Sequence, residues 1–265
     1  MRSIAVMNQK GGVGKTTTAV NMSAALAAAG AKVCVIDLDP QAHATLHFGF
    51  DTQSEGKSVY DVLIGKLKLN DVRIRVTENL YLIPAHLDMV GAELELASAV
   101  GRELILRDEL AEETMTFDYL IIDCPPSLGL FTLNALTAVQ EVFVPLQPHY
   151  FSLHGFMRLL ETLEAVSRRL NKSLKLSGIL LTMYDDTRLA SEVTQDIRAF
   201  LEQREKLPRV CGDAQIFETK IRRNIRLAEA PSYGKPIFDY DAHSNGADDY
   251  RHLAAEIMKA NKRNG

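Results

Sequence analysis

The chain has 265 residues, of which 46% are hydrophobic, and its formal net charge is −4. A chain of this length and composition is expected to bury one core as a single domain over residues 1–265. The acidic balance excludes a globally basic nucleic-acid binder but leaves a local basic patch open. No apolar run approaches the roughly 20 residues that span a bilayer. The three cysteines lack metal or redox spacing, which favours a cytoplasmic protein with reduced thiols.

The first strong pattern is a glycine-rich loop between a strand and a helix. An apolar run at residues 4–7 predicts the strand, and an alanine-rich stretch at 17–29, followed by Gly30, predicts the helix. Glycines let the backbone turn its N–H groups towards phosphate, and the helix N-terminus adds positive potential. We therefore predict that a nucleotide is bound by the loop residues Lys10, Gly11, Gly12, Val13, Gly14, Lys15, Thr16 and Thr17.

Three side chains of this loop carry its predicted chemistry. Lys15 is expected to reach the β- and γ-phosphates, and the hydroxyl of Thr16 is expected to hold Mg²⁺. Lys10 is one cation more than phosphate binding requires, because the loop begins with this lysine rather than with the usual glycine. We predict that Lys10 offsets transition-state charge, either in its own site or in the site of a partner.

A pair of acids follows the second apolar strand, which is predicted at residues 32–36. Asp37 and Asp39 are one residue apart in an extended segment, so their side chains point to opposite sides and have different roles. We assign Asp39 to orienting the attacking water and Asp37 to the Mg²⁺ shell. The structural alternative is a strand-end turn in which the acids accept hydrogen bonds from free backbone N–H groups.

A third acid closes an apolar strand at residues 119–123. Asp123 is typical of a Walker B acid, which holds Mg²⁺ through its water shell. The segment 125–129 that follows reads Pro-Pro-Ser-Leu-Gly, rigid and then flexible. It favours a switch that senses the γ-phosphate, and the alternative is an ordinary turn.

Strands and helices alternate along the whole chain. Continuous apolar strands with intervening helices predict an α/β fold with a mostly parallel twisted sheet and helices on both faces. Together with the glycine-rich loop, this fold indicates a single P-loop NTPase domain. In such sheets ligands lie at the carboxyl ends of the strands, where the loop and the three acids fall. The further predicted strands are at 80–84, 141–145 and 176–183, and the further predicted helices are at 87–113, 153–170, 189–203 and 247–260.

Segments 10–17, 37–41 and 123–129 resemble the deviant Walker A, Walker A′ and Walker B segments of the ParA/Soj branch of the ParA–MinD ATPases. Segments 90–96, 180–185 and 223–236 agree as well, so the resemblance covers nearly the whole chain. It implies an ATPase with ATP and Mg²⁺ as cofactors. ATP would close a homodimer in which Lys10 of each copy reaches the other's nucleotide.

The resemblance also implies what this dimer does. It would bind double-stranded DNA without sequence preference, and a ParB-type activator would stimulate slow hydrolysis and release it. That cycle would segregate chromosomes or plasmids and place the protein in the cytoplasm, on the nucleoid. No N-terminal helix-turn-helix domain is expected before the first strand.

Residue by residue, Lys10, Lys15, Thr16, Asp39 and Asp123 match functional positions of the family. The chain departs from the family pattern in three places. Residues 42–45 read Ala-His-Ala-Thr instead of the usual Gly-Asn-Ala-Thr, and segment 202–215 is longer than usual, which predicts a surface insertion. The third departure is Arg222, which replaces a usual proline at the edge of the nucleotide. We assign Arg222 to cofactor binding together with Asn224, which matches a family position near the adenine.

A basic segment is the predicted DNA contact. Four cations and one acid lie between residues 216 and 226, and Arg188 lies in a loop where the family carries a DNA-contacting arginine. A charge run alone is more often a solvated face, so the DNA assignment depends on the resemblance. Two patches on a closed dimer would bind far more strongly than one. The predicted DNA-binding residues are Arg188, Lys220, Arg223 and Arg226.

Two alternatives come from the same superfamily. A MinD-like membrane-associated ATPase would end in an amphipathic helix, but residues 250–265 lack the bulky apolar stripe that interfacial binding needs. We therefore interpret 247–260 as a packing helix and expect no membrane contact. A protein-cargo-positioning ATPase is the other form of this alternative, and it stays open. An iron–sulfur ATPase would need two suitably placed cysteines per copy, and Cys124 is the only one near the site.

Overall fold

The computed structural model describes residues 1–51, 56–150, 152–203, 205 and 207–264. Its described strands form one sheet in the order β3-β4-β2-β5-β1-β6-β7-β8, and only β3 runs antiparallel to its neighbour. The predicted mostly parallel α/β fold is confirmed. The strands are β1 (Arg2–Val6), β2 (Val33–Asp37), β3 (Ile74–Arg75), β4 (Leu80–Ile83), β5 (Tyr119–Asp123), β6 (Glu141–Leu146), β7 (Lys175–Leu181) and β8 (Gln215–Ile216).

Helices cover both faces of this sheet, because alternate strand residues point to opposite sides. In β1, Ile4 lies in one hydrophobic core and Ala5 in the other. The helices of the described chain are α1 (Lys15–Ala28), α2 (His43–His47), α3 (Val59–Leu63), α4 (Leu69–Val72), α5 (Met89–Glu95), α6 (Ile105–Ala111), α7 (Leu130–Ala138), α8 (Ser152–Arg169), α9 (Arg188–Glu202), α10 (Ile225–Glu229), α11 (Ile237–Tyr240) and α12 (Asn245–Asn264).

The last helix, α12, packs against α1. Its apolar residues Tyr250, Leu253 and Ile257 are all buried in the core that also holds the α1 side chains. The prediction of a packing helix at the end of the chain is therefore confirmed. Within the described part of the chain, no helix is both long and apolar enough to cross a membrane.

Two predicted elements were too long. The helix predicted at 87–113 is two short helices, α5 and α6, because Gly101 between them has a φ of +73° that breaks a helix. Exposed Val90, Leu94 and Val100 also fail to form one buried face. The strand predicted at 176–183 ends at Leu181, and Met183 has a left-handed backbone with φ +46°.

Residues 204 and 206 of segment 202–215 lie outside the described part of the chain, and the surface insertion stays a prediction. One turn of the segment is buried. A 3₁₀ turn at Arg209–Cys211 buries Val210 and Cys211 in the core beside α8. The backbone N–H of Val210 donates to a carboxylate oxygen of Glu164 at 3.1 Å. Burial raises the pKa of Cys211 to about 12, so its thiol stays protonated.

Candidate nucleotide site

The glycine-rich loop joins β1 to α1 at the carboxyl edge of the sheet. Gly14, the residue before α1, has φ +84°, and no side chain caps the helix. Gly12 has φ +73°, and no atom lies within 4 Å of the place that a β-carbon would take, so its backbone conformation rather than lack of space requires glycine. The first N–H groups of α1 thus remain without an intrahelical acceptor and face the loop, where an anion would bind.

Two side chains outside the loop fix its shape. Asn8 accepts a hydrogen bond from the N–H of Lys10 at 3.0 Å and donates to the carbonyl of Pro145 at 2.8 Å. Thr182, just after β7, donates its hydroxyl to the carbonyl of Val13 at 2.9 Å. Sequence reasoning missed both residues. Asn8 is a polar residue directly after an apolar strand, but Thr182 is distant in sequence and only the fold brings it to the loop.

The two lysines of the loop occupy different environments. Lys15 is buried, and its Nζ donates to the carbonyl of Lys10 at 3.4 Å. Burial lowers the pKa of Lys15, and the nearby carboxylates of Asp123 and Asp39 oppose that change. Lys10 is exposed and forms no ion pair with any described residue. One lysine is therefore buried in the site, and the other is exposed.

Asp123 is a buried carboxylate without protein donors. Neither of its oxygens has a hydrogen-bond partner among the described residues. Burial raises its pKa well above the usual range, the charge of Asp37 adds to this, and Thr16 acts in the opposite direction. An unpartnered buried carboxylate is costly unless a cation or a water shell binds it. Its environment fits the predicted Mg²⁺ role, with Thr16 as the neighbouring oxygen donor.

Asp37 is placed differently, although it lies beside Asp123 in the register of β2 and β5. One of its oxygens accepts the N–H and the hydroxyl of Thr45, both at 2.8 Å, and the other accepts the N–H of Asp39 at 3.1 Å. Burial raises the pKa of Asp37 to about 6, and these hydrogen bonds limit the rise. These hydrogen bonds are those of the strand-end turn, and the place of Asp37 in the Mg²⁺ shell stays a prediction.

Asp39 lies at the rim of the site. It is 8% exposed, and one oxygen accepts the N–H of Gln41 at 3.0 Å. No described residue donates a hydrogen bond to its other carboxylate oxygen, which fits the predicted role of orienting water. The segment predicted as a switch follows β5, where the hydroxyl of Thr132 donates to the carbonyl of Ser127 at 2.6 Å. Its switching role stays a prediction.

A cavity of about 350 Å³ continues from the end of the glycine loop. Its walls are mostly apolar, as expected for a site that takes a planar base. Asn224 lines it and also caps α10, because its side-chain oxygen accepts the N–H of Arg226 at 2.9 Å. Among the lining residues are Gly14, Thr17, Met183, Arg222, Leu227 and Tyr250.

The predicted DNA-binding residues lie at one end of the fold, after the carboxyl end of β7. Arg188 is the first residue of α9 rather than part of a loop, Lys220 and Arg223 precede α10, and Arg226 lies in α10. All four already have a protein partner. Lys220 lies 3.9 Å from the ring centre of Tyr184, which is a cation–π contact. The ion pairs are Arg188–Glu192 at 2.8 Å, Arg223–Asp185 at 2.9 Å, Arg226–Glu229 at 2.9 Å and Arg226–Asp241 at 3.4 Å.

The parallel sheet, the left-handed glycine loop, the buried lysine and the strand-end acid define a P-loop nucleotide-binding protein. A family model described as an AAA domain matches residues 1–176. The chain is 46% identical to the chromosome-partitioning ATPase Soj of Treponema pallidum, over 97% of both chains. It is 43% identical to the sporulation initiation inhibitor protein Soj of Bacillus subtilis, over 96% of this chain and 97% of the relative. The chain belongs to the ParA/Soj family of P-loop ATPases.

Solved structures agree on the fold. The cobyrinic acid a,c-diamide synthase of Mycobacterium smegmatis, with bound ADP and magnesium, is similar with a TM-score of 0.83 and 36% identity, and the match covers 100% of this chain and 97% of that one. The cell division ATPase MinD of Pyrococcus furiosus is similar with a TM-score of 0.77 and 25% identity, covering 98% and 99%. The predicted family and fold class are therefore confirmed, and the individual residue roles stay predictions.

Proposed function

We propose that this protein is an ATP-dependent DNA-partitioning ATPase that works as an ATP-closed dimer. The observation that carries the proposal is the contrast between the two loop lysines. Lys15 is buried within reach of the site's own acids, whereas Lys10 is exposed and unpaired among the described residues. A second lysine that is exposed and unpaired suits a role across an interface.

Hydrolysis follows from how the chain's own groups are placed. Thr16 and Asp123 would hold Mg²⁺, which would supply charge neutralisation of the nucleotide phosphates. Lys15 would bind the phosphate oxygens from inside the loop. Asp39, with one oxygen fixed by the N–H of Gln41, orients the water that attacks. Phosphoryl transfer to water needs positioning and electrostatic stabilisation rather than a covalent nucleophile.

Dimer closure brings Lys10 of each copy to the other copy's nucleotide. Its charge then stabilises the transition state only when both copies hold ATP, so hydrolysis depends on assembly. Hydrolysis would be slow until a ParB-type activator completes the site, so the closed dimer would persist until the activator binds. The resemblance of the motifs and the relatives' names support this cycle, which would place the protein on the nucleoid.

DNA binding is proposed for the basic end of the fold. Each phosphate that a cation neutralises contributes about −0.9 to the slope of log K against log salt. Because Arg188, Arg223 and Arg226 are paired with acids, a single copy has little net positive charge to offer. Two such surfaces on a closed dimer act together, so ATP occupancy sets DNA affinity.

The MinD-like alternative finds no support in the C-terminal helix. The apolar residues of α12 face α1 and are buried, which leaves no apolar stripe for a membrane surface among its described side chains. Co-sedimentation with anionic vesicles separates the two proposals, because a partitioning ATPase stays in the supernatant with ATP present.

The direct test of the proposed function is light scattering on Asp39→Ala protein with ATP and Mg²⁺. We expect a dimer that is retained by random-sequence DNA at about 100 mM salt. Lys15→Ala is the matched control, and it should remain monomeric and unretained. A monomer under saturating ATP with hydrolysis disabled would contradict the proposal.

A further inference from the structure

An ion pair between Arg222 and Asp249 holds one wall of the proposed base cavity. Arg222 lines the cavity, but its guanidinium turns to Asp249 in α12. Its Nε and Nη2 donate to one carboxylate oxygen at 3.0 and 2.7 Å, and its backbone N–H donates to the other at 2.8 Å. Asp249 is only 5% exposed, and all hydrogen bonds that the described residues give to its carboxylate come from Arg222. The Arg222 side chain is 48% exposed and that of Asp249 is 7% exposed, so one side of the pair is buried and the other faces solvent.

The backbone around Arg222 is held on its other side by the end of the sheet. Tyr184 donates its N–H to the carbonyl of Ile221 at 2.9 Å and accepts the N–H of Arg223 at 3.3 Å. Arg222 and Tyr184 form a parallel bridge. Asn224 follows at once and caps α10. The segment around Arg222, which lines the base cavity, is therefore held by Tyr184 on one side and by Asp249 on the other.

The next residue of α12, Tyr250, contacts α1. The hydroxyl of Tyr250 lies 3.2 Å from the hydroxyl of Thr18 in α1, one residue after the phosphate loop. Tyr250 is buried and lines the cavity together with Thr17. Consecutive residues of α12 thus contact Arg222 and the start of α1, and both Arg222 and Thr17 line the cavity.

We propose that Asp249 and Tyr250 are positioning residues for the base end of the nucleotide site. Asp249 acts through Arg222, whose charged group is engaged by α12 and does not contact the nucleotide itself. This differs from the direct cofactor contact predicted for Arg222 from the sequence. The inference rests on the proposed function, since it requires that ATP occupies this cavity.

The test is steady-state ATP hydrolysis by the full-length chain, with ATP binding measured by titration calorimetry. Asp249→Asn keeps the shape of the side chain and removes the charge that holds Arg222. We expect about a tenfold rise in both KM and Kd for ATP, while kcat at saturating ATP stays within about twofold. Tyr250→Phe removes one hydroxyl contact and should raise KM by about threefold. Asp248→Asn is the matched control, because Asp248 pairs with the exposed Arg251 instead, and it should change neither value.

Arg222→Lys is the second variant, used if Asp249→Asn does not fold by circular dichroism. It keeps a cation for Asp249 but loses the two-nitrogen contact, and we expect an intermediate rise in KM. An unchanged KM in Asp249→Asn or Arg222→Lys overturns the inference. A loss of kcat at constant KM also overturns it, because that pattern indicates a general structural role. Failure of the proposed function itself is distinct, because it would appear as an Asp39→Ala protein that stays monomeric under saturating ATP, whatever the KM of these variants.

Discussion

The nucleotide site contains charged groups without described partners, whereas the arginines at the basic end of the fold are paired with acids. In the site, the buried carboxylate of Asp123 has no donor, and the exposed Lys10 has no acid among the described residues. At the basic end, each candidate arginine is already paired with an acid. A ligand that enters the site relieves unbalanced charge, whereas a ligand at the basic end must displace partners that are present. We therefore expect the site to bind its ligand in a single copy and the basic end to bind only when copies are combined.

Substitution of the buried Lys15 is expected to have the largest effect on ATP hydrolysis. Lys15→Ala leaves the phosphates and the buried Asp123 without their nearest internal cation. We expect ATP hydrolysis to fall by about 1000-fold, since one transition-state donor contributes about 100- to 1000-fold and phosphate binding is lost as well. Phosphate-release kinetics provide the measurement. The control is Lys66→Ala, because Lys66 is an exposed lysine far from the loop in sequence. Hydrolysis within tenfold of the unmodified rate would exclude the inner role of Lys15.

Loss of the water-orienting acid is the second largest effect. Asp39→Ala should lower hydrolysis by about 100-fold while ATP binding changes little, because Asp39 contributes positioning rather than affinity. The ATP-bound dimer should then accumulate and stay on DNA, as size-exclusion chromatography with ATP would report. Asp37→Asn is the informative comparison. If Asp37 is structural, this substitution lowers the thermal midpoint of unfolding more than it lowers the rate at saturating Mg²⁺.

The outward lysine gives the third effect. Lys10→Ala should leave ATP binding to a single copy intact, because its side chain makes no described contact within its own site. Dimer formation with ATP should weaken by about tenfold, and hydrolysis should lose its dependence on protein concentration. Analytical ultracentrifugation with and without ATP is the measurement. A Lys10→Ala protein that dimerises with ATP and turns over normally would rule out the role across the interface.

The sequence predicts the phosphate end of the site well because its parts are local in the chain. The loop from Lys10 to Thr17 and the acids at strand ends follow from composition and spacing, and the parallel sheet then brings them to one edge. Thr182, Asp249 and Tyr250 could not be predicted as site residues, because they approach the loop only through the packing of β7 and α12. The hydrogen bonds of Asp37 could not be predicted either, since its partner Thr45 belongs to a short helix that no periodicity indicated.

The smallest effect, and the one that sharpens the contrast most, is at the basic end. Arg226→Ala removes one cation, but Glu229 and Asp241 then lose their partner and add local negative charge. We expect DNA affinity to fall by about threefold to tenfold at all sequences, the salt slope to change by about 0.9, and ATP binding to stay unchanged. Glu229→Gln is the complementary variant, because it frees Arg226 from one acid and should strengthen DNA binding. The measurement is retention on random duplex DNA over a salt series, with Asp39→Ala as the common background to hold the dimer closed. If both substitutions leave retention unchanged, Arg226 is a structural ion-pair residue, and the DNA contact lies elsewhere on the dimer.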